Sequence, residues 1–192
     1  MSIVSYVVIA LALGISNMLL FHRCGEATPV RLSIGLFYTL LVSAVHVLFF
    51  YPGNLLGSLL SLDSPTEPHL YDDIIAYIFL GIIVAVVVKM LAPYLRREPR
   101  LPLFDLGDIK SVLAMAVATG INVLLIGVGT GFASSSYNLH KILWPLLIVS
   151  LLLSYLGLMF GRQKVQLHPR RWMVVASVLL LGTAIAACVN AV

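Results

Sequence analysis

The sequence predicts an all-α integral membrane protein of six transmembrane helices arranged as a 3+3 inverted-topology repeat. Three observations carry the prediction. Of the 192 residues, 60% are hydrophobic and only 10% charged, with a mean hydropathy of +1.04, well above a typical soluble domain. Six apolar windows, at 3–21, 34–51, 74–92, 111–132, 140–160 and 172–191, meet or approach the length of about 20 residues that a helix needs to cross the hydrocarbon core. Short landmarks in the first three windows recur in the last three. The connecting segments carry no apolar periodicity of their own, so no soluble catalytic domain is expected and function belongs to the bundle or its mouths.

The first window resembles a secretory leader in length, but no positive residue precedes it and Arg23 follows it. A leader has the opposite arrangement, so the window reads as helix 1. It carries Asn17 behind Gly14 and Ser16. Helix 2 places Thr39, Ser43 and His46 at i, i+4 and i+7, on one face, and is expected to end at Tyr51-Pro52-Gly53. Helix 3 contains Leu80-Gly81. Between helices 2 and 3 lie Asp63, Glu67, Asp72 and Asp73 with no Lys or Arg, and Ser64-Pro65-Thr66-Glu67-Pro68 reads as an exposed loop. Helix 4 carries Asn122 behind Thr119 and Gly120. Helix 5 carries Ser150, Ser154, Gly157 and Gly161 on one stripe, and helix 6 contains Leu181-Gly182. Cys24 in a connection and Cys188 in the last helix form neither a metal spacing nor a disulfide framework and read as unpaired packing residues.

Charge sets the expected orientation. Of the 12 Lys and Arg, only Lys141 falls outside the first, third and fifth connections. This positive-inside bias puts those connections in the cytoplasm and both termini outside. The formal net charge of +4 is then topogenic and suited to anionic lipid headgroups rather than to nucleic acid.

The pairs Asn17/Asn122, Gly53/Gly157 and Gly81/Gly182 are offset by 105, 104 and 101 residues. Three landmarks in order at nearly constant spacing divide one membrane domain into a three-helix repeat over 1–92, a cytoplasmic linker over 93–110 and a second repeat over 111–192. Because each unit has three spans, the second enters from the opposite side. Secondary transporters commonly use this arrangement, with the site near the midplane between the repeats. Aligning Gly53 with Gly157 brings His46 opposite Ser150. An amide or imidazole in hydrocarbon must find partners or lose stability. Asn17, Asn122, His46, Ser150 and Ser154 are therefore the candidate ion- or substrate-binding residues, with Asn17, Asn122 and His46 the candidate metal ligands. The competing reading is packing alone: asparagines as interhelical glue, a neutral histidine bonded to a carbonyl or hydroxyl, and small residues that let helices approach.

Phe79-Leu80-Gly81, Gly127-Val128-Gly129 and the stretch Leu156-Gly157-Leu158-Met159-Phe160-Gly161-Arg162, taken in this order with small-residue-rich helices 1 and 4, resemble the bacterial manganese efflux pump family within the lysine exporter superfamily. The resemblance covers nearly the whole chain. It implies a six-helix inner-membrane exporter that moves Mn²⁺ out of the cytoplasm and carries no permanently bound cofactor. Where the family pattern has an aspartate in helices 1 and 4 and a glutamate in helix 2, this chain has Asn17, Asn122 and His46. Mn²⁺ favours carboxylate, carbonyl and water ligands, and no Asp or Glu lies deep inside any window.

Three functions follow as alternatives. One is export of a divalent metal cation, Mn²⁺ or another, through a site between helices 1, 2, 4 and 5. Another is transport of a neutral or zwitterionic solute, or of a softer metal, on the same fold. The third is a transport-inactive membrane interaction subunit, for which Asn17 and Asn122 would bond each other in a dry interface. An enzyme is not expected, because His46 has no acid or thiol partner within the membrane. The Gly-x-x-x-Gly spacings at 53 and 157 suit contacts within one chain or between two, and hence a homodimer.

Overall fold

Six helices, α1 (Ile3–Ala27), α2 (Leu32–Leu60), α3 (Pro68–Leu95), α4 (Ile109–Ala133), α5 (Leu139–Arg162) and α6 (Pro169–Val189), make up the regular structure of a computed structural model that describes residues 3–60, 68–95, 104–133 and 139–189. All six are long and apolar enough to span a bilayer, and no strand occurs among the described residues. Residues 63–67, Arg96, Arg97 and Arg100, and the side chains of Asp72, Asp73 and Lys141, lie outside the described residues.

The helices outrun the apolar windows. α1 continues through His22, Arg23 and Glu26 to Ala27, so Cys24 belongs to a helix, fully buried, and not to a connection. Polar residues of this type propagate a helix as well as apolar ones do, so the change in polarity marks an interface and not a helix end. α2 does not stop at Pro52 but runs through it to Leu60. In hydrocarbon a broken helix exposes backbone groups that nothing else satisfies, whereas a proline forfeits a single bond. Pro93 in α3 and Pro145 in α5 are likewise internal. Pro68 is the first residue of α3 and not the end of a loop, a position where its missing N–H is not needed. Lys89 sits within α3 and Lys110 in the first turn of α4.

Caps fix the remaining ends. Asp108 caps α4, its Oδ1 accepting from Lys110 N at 3.0 Å, and Asp105 closes the turn before it through Gly107 N at 2.8 Å. α5 ends in a Schellman turn: Val165 N donates to Phe160 O at 3.0 Å and Lys164 N to Gly161 O at 3.0 Å. Lys164 holds the left-handed position at φ 53° that glycine usually takes.

Two helix pairs form the heart of the bundle, α1 with α5 and α2 with α4, and α3 and α6 flank them. Glycines set the closeness of both pairs. A Cβ on Gly157 or Gly161 would strike the carbonyl oxygens of Met18 and His22 on α1, and one on Gly53 or Gly57 those of Leu124 and Val128 on α4. Gly127 and Gly131 press back against the carbonyls of Phe50 and Asn54. Such backbone-to-backbone contact is what small residues give membrane helices that have no hydrophobic drive to associate. The Gly-x-x-x-Gly spacings at 53 and 157 are thus filled within one chain. Gly81 and Gly182 meet nothing within 4 Å and lie on exposed faces of α3 and α6. One apolar core of Tyr6, Leu13, Phe79, Ile83, Met173 and Leu180 ties α3 and α6 to α1. A second gathers Phe21, Val42, Met115 and Leu158 around Leu106, which the α3–α4 connection inserts into the bundle.

Two outcomes follow. Gly157→Ala is expected to lower stability by about 1–3 kcal/mol through overpacking, whereas Gly81→Ala leaves it unchanged or raises it by up to about 1 kcal/mol; thermal unfolding of detergent-solubilised protein measures both. Lys164→Gly is expected to raise stability by about 1 kcal/mol by relieving the left-handed backbone.

Candidate functional site

Close contact of the two glycine-lined pairs brings four polar side chains together near the middle of their helices. Asn17 comes from α1, His46 from α2, Thr119 from α4 and Ser150 from α5. His46, Ser43 and Thr39 are completely buried, and Asn17 and Ser150 nearly so, so the α2 stripe faces inward as its spacing requires.

His46 is the hub. Its Nε2 lies 2.9 Å from Thr119 Oγ1. The Thr119 hydroxyl proton is directed at the carbonyls of Met115, 3.0 Å away, and Ala116, 3.2 Å away. Thr119 therefore accepts from Nε2–H, and in the neutral ring Nδ1 is left as a lone pair. That lone pair faces Ser150 Oγ at 3.0 Å and Asn17 Nδ2 at 3.2 Å. Asn17 Nδ2 is in turn 3.4 Å from Ser150 Oγ. Ser43 donates to the Thr39 carbonyl at 2.8 Å and lies 3.3 Å from Ser150 Oγ. His46 and Ser150, which alignment of Gly53 with Gly157 sets at corresponding positions, are here in direct contact.

Asn122 and Ser154 are placed differently. Neither joins the cluster, and Asn122 does not bond Asn17. Asn122 Oδ1 and Ser154 Oγ are buried with no hydrogen-bond partner among the described residues. The glycine contacts explain the position of Asn122. Leu124 and Val128 occupy on α4 the places that Met18 and His22 occupy on α1, an offset of 106 residues and not 105. Asn122 is thus packed as Ser16 is, half-buried, and one residue is a rotation of about 100° around a helix. Ser154 stands one turn from Ser150, level with Thr39 across the antiparallel α2–α5 seam, in which Gly35 meets Leu158 and Ser43 meets Ser150.

Three polar groups were not anticipated from the sequence. Thr119 is one; its closeness to Asn122 and Gly120 concealed a role of its own. Asn54 is another, buried and donating to Thr130 Oγ1 at 3.3 Å between α2 and α4; it lies past Pro52, where the helix was expected to have ended. The third is His22, whose Nε2 meets the Val165 carbonyl at 2.8 Å and which, with Glu26, Lys164 and His168, lines a cavity of about 240 Å³ at the end of α1. No group of three or more His, Cys, Asp or Glu side chains suited to a metal ion occurs among the described residues.

Compared with known proteins, the chain matches the model of the family described as "Putative manganese efflux pump" (Mntp) over residues 29–187. The chain belongs to the manganese efflux pump family. The match spans α2 to α6 and includes His46, Thr119, Asn122 and Ser150, while α1 with Asn17 precedes it. No curated protein and no solved structure matches the chain. Together with six spanning helices, membership of the manganese efflux pump family makes this a multi-pass membrane transporter.

The two asparagines are expected to respond oppositely to loss of the amide. Asn17→Leu removes the amide's hydrogen bonds to His46 Nδ1 and Ser150 Oγ, sets an apolar side chain against both, and is expected to cost about 1–3 kcal/mol. Asn122→Leu removes an oxygen that has no partner and is expected to be neutral or stabilising. Thermal unfolding of the two variants side by side checks the contrast.

Proposed function

We propose that this chain exports a divalent metal cation, with Mn²⁺ the cargo its family points to, through the polar cluster between α1, α2, α4 and α5. The observation that carries the proposal is the buried network on His46. Four helices each contribute a polar side chain at mid-depth, where every such group is costly unless it is used. Buried oxygens of Asn122 and Ser154 without partners add cost of about 1–3 kcal/mol each and line the same bundle. The pairing of helices also supports an inverted repeat, because exchanging α1 with α4, α2 with α5 and α3 with α6 returns the same set of contacts. Under that symmetry the cluster lies close to the axis, where transporters of this architecture hold cargo.

The proposed setting is the inner membrane of a bacterium, with both termini outside and the basic connections in the cytoplasm. An apolar core around Leu106 draws residues from α1, α2, α4 and α5, and in this reading passage involves movement of α1 and α5 against α2 and α4.

Expression in cells sensitised to Mn²⁺ is expected to lower their Mn²⁺ content several-fold and restore growth. Asn17→Ala and His46→Ala are expected to abolish both effects at unchanged membrane abundance. Equal cellular Mn²⁺ with and without the intact protein, measured by elemental analysis, would remove Mn²⁺ as cargo.

A further inference from the structure

We infer that Asn17, His46 and Ser150 form a facial three-donor site that binds cargo through the imidazole, and that its substrate class is the later first-row divalent cations, Co²⁺, Ni²⁺ and Zn²⁺, in preference to Mn²⁺ and Mg²⁺. The inference rests on the export reading for the route of the ion and adds to it the identity of the ligands and the cargo class.

The geometry is the starting point. His46 Nδ1, Ser150 Oγ and the Asn17 amide make a triangle with edges of 3.0, 3.2 and 3.4 Å. A cation about 2.1 Å from each of three ligands at octahedral or tetrahedral angles spaces those ligands about 3.0–3.4 Å apart. Half a turn of the Asn17 amide exchanges its NH₂ for its carbonyl oxygen with little movement of the rest of the side chain, which gives one nitrogen and two oxygens facing a common point.

The hydrogen bonding gives the triangle its reason. Nδ1 has one in-plane lone pair, and both the Asn17 amide and the Ser150 hydroxyl converge on it. One lone pair cannot serve two donors well. With a cation off the triangle face the conflict disappears, because Nδ1, Oδ1 and Oγ all turn their lone pairs to it. The far side of the ring is already arranged for this. Nε2–H is held by Thr119 Oγ1, itself anchored on the Met115 carbonyl, the outer-shell support that fixes the tautomer of a metal-bound histidine. Ser43 Oγ, 3.3 Å from Ser150 Oγ, is placed to take the Ser150 hydroxyl proton as that oxygen turns to the metal.

Donor chemistry sets the class. The three ligands are neutral and include no carboxylate, and the described residues hold no cluster of His, Cys, Asp and Glu that adds one. Hard ions such as Mn²⁺ and Mg²⁺ draw their affinity from carboxylate and water oxygens, whereas an imidazole favours Co²⁺, Ni²⁺ and Zn²⁺, in keeping with the general rise in affinity across the row.

The test uses the full chain in detergent and in proteoliposomes. Co²⁺ binding is read from its visible absorption, with Mn²⁺ and Zn²⁺ as competitors. Co²⁺ and Zn²⁺ are expected to bind at least about tenfold more tightly than Mn²⁺, and His46→Glu to narrow that gap by strengthening Mn²⁺ binding. Thr119→Val, which keeps all three donors, is expected to weaken Co²⁺ about tenfold or more, and it tests the site even if His46 variants fail to fold. Equal affinity for Mn²⁺ and Co²⁺, or a Co²⁺ spectrum and affinity indifferent to both Thr119→Val and His46→Glu, would overturn the inference. Proteoliposome flux separates it from the export reading. Co²⁺ binding at the cluster with no cation flux sinks export and leaves the site standing. Flux of Mn²⁺ at least equal to that of Co²⁺, unchanged by His46→Glu, does the reverse.

Discussion

Everything near the centre of this bundle depends on how closely α1 approaches α5 and α2 approaches α4. Glycines at 157 and 161, and at 53 and 57, put backbone against backbone, and at that separation a side chain as short as Thr119 on α4 reaches His46 on α2. The 2.9 Å contact of His46 with Thr119 is therefore a consequence of residues that have no side chain, and the bonds to Ser150 and Asn17 join the two glycine-lined pairs to each other. Hydrophobic burial cannot do this work in a bilayer, where lipid tails match leucine in polarity. Contact distance has to come from the absence of Cβ atoms.

The same constraint separates what was legible in the chain from what was not. The six spans were legible because hydrocarbon thickness imposes a length on any helix that crosses it. Helix ends were not, because interfacial residues such as His22, Arg23 and Glu26 stay helical and because Pro52 costs less inside a helix than a break would. The inward stripe of Thr39, Ser43 and His46 was legible as spacing on one helix face, but its contact with Ser150 was not, because positions that correspond in a sequence alignment need not touch. Thr119 was not, because a threonine in a spanning helix satisfies itself on its own backbone and carries no mark of a second partner. Asn54 escaped notice only because the helix that holds it was expected to have ended.

The asparagines show where sequence likeness and packing part company. In sequence Asn17 and Asn122 are the obvious pair. In space the glycines of α5 meet the carbonyls of Met18 and His22 and those of α2 the carbonyls of Leu124 and Val128, contacts 106 residues apart and not 105. A rotation of about 100° per residue is enough to turn one amide into the cluster and the other beside it. An interaction subunit held together by a mutual asparagine bond would need both amides on one seam, and this register does not put them there. Asn17 instead spends its amide on His46 and Ser150.

The partners of His46 are an amide and two hydroxyls, with no carboxylate among them, and this has a physical meaning. A carboxylate in hydrocarbon is expensive to desolvate and repays the expense only when a cation sits beside it. A neutral histidine bonded to hydroxyls and an amide meets its hydrogen-bonding needs without an ion beside it. Thr119 supports the ring from behind, itself anchored on the Met115 carbonyl. The arrangement forgoes the affinity that carboxylates would lend a hard ion and leaves a centre that is hydrogen-bonded on its own side chains.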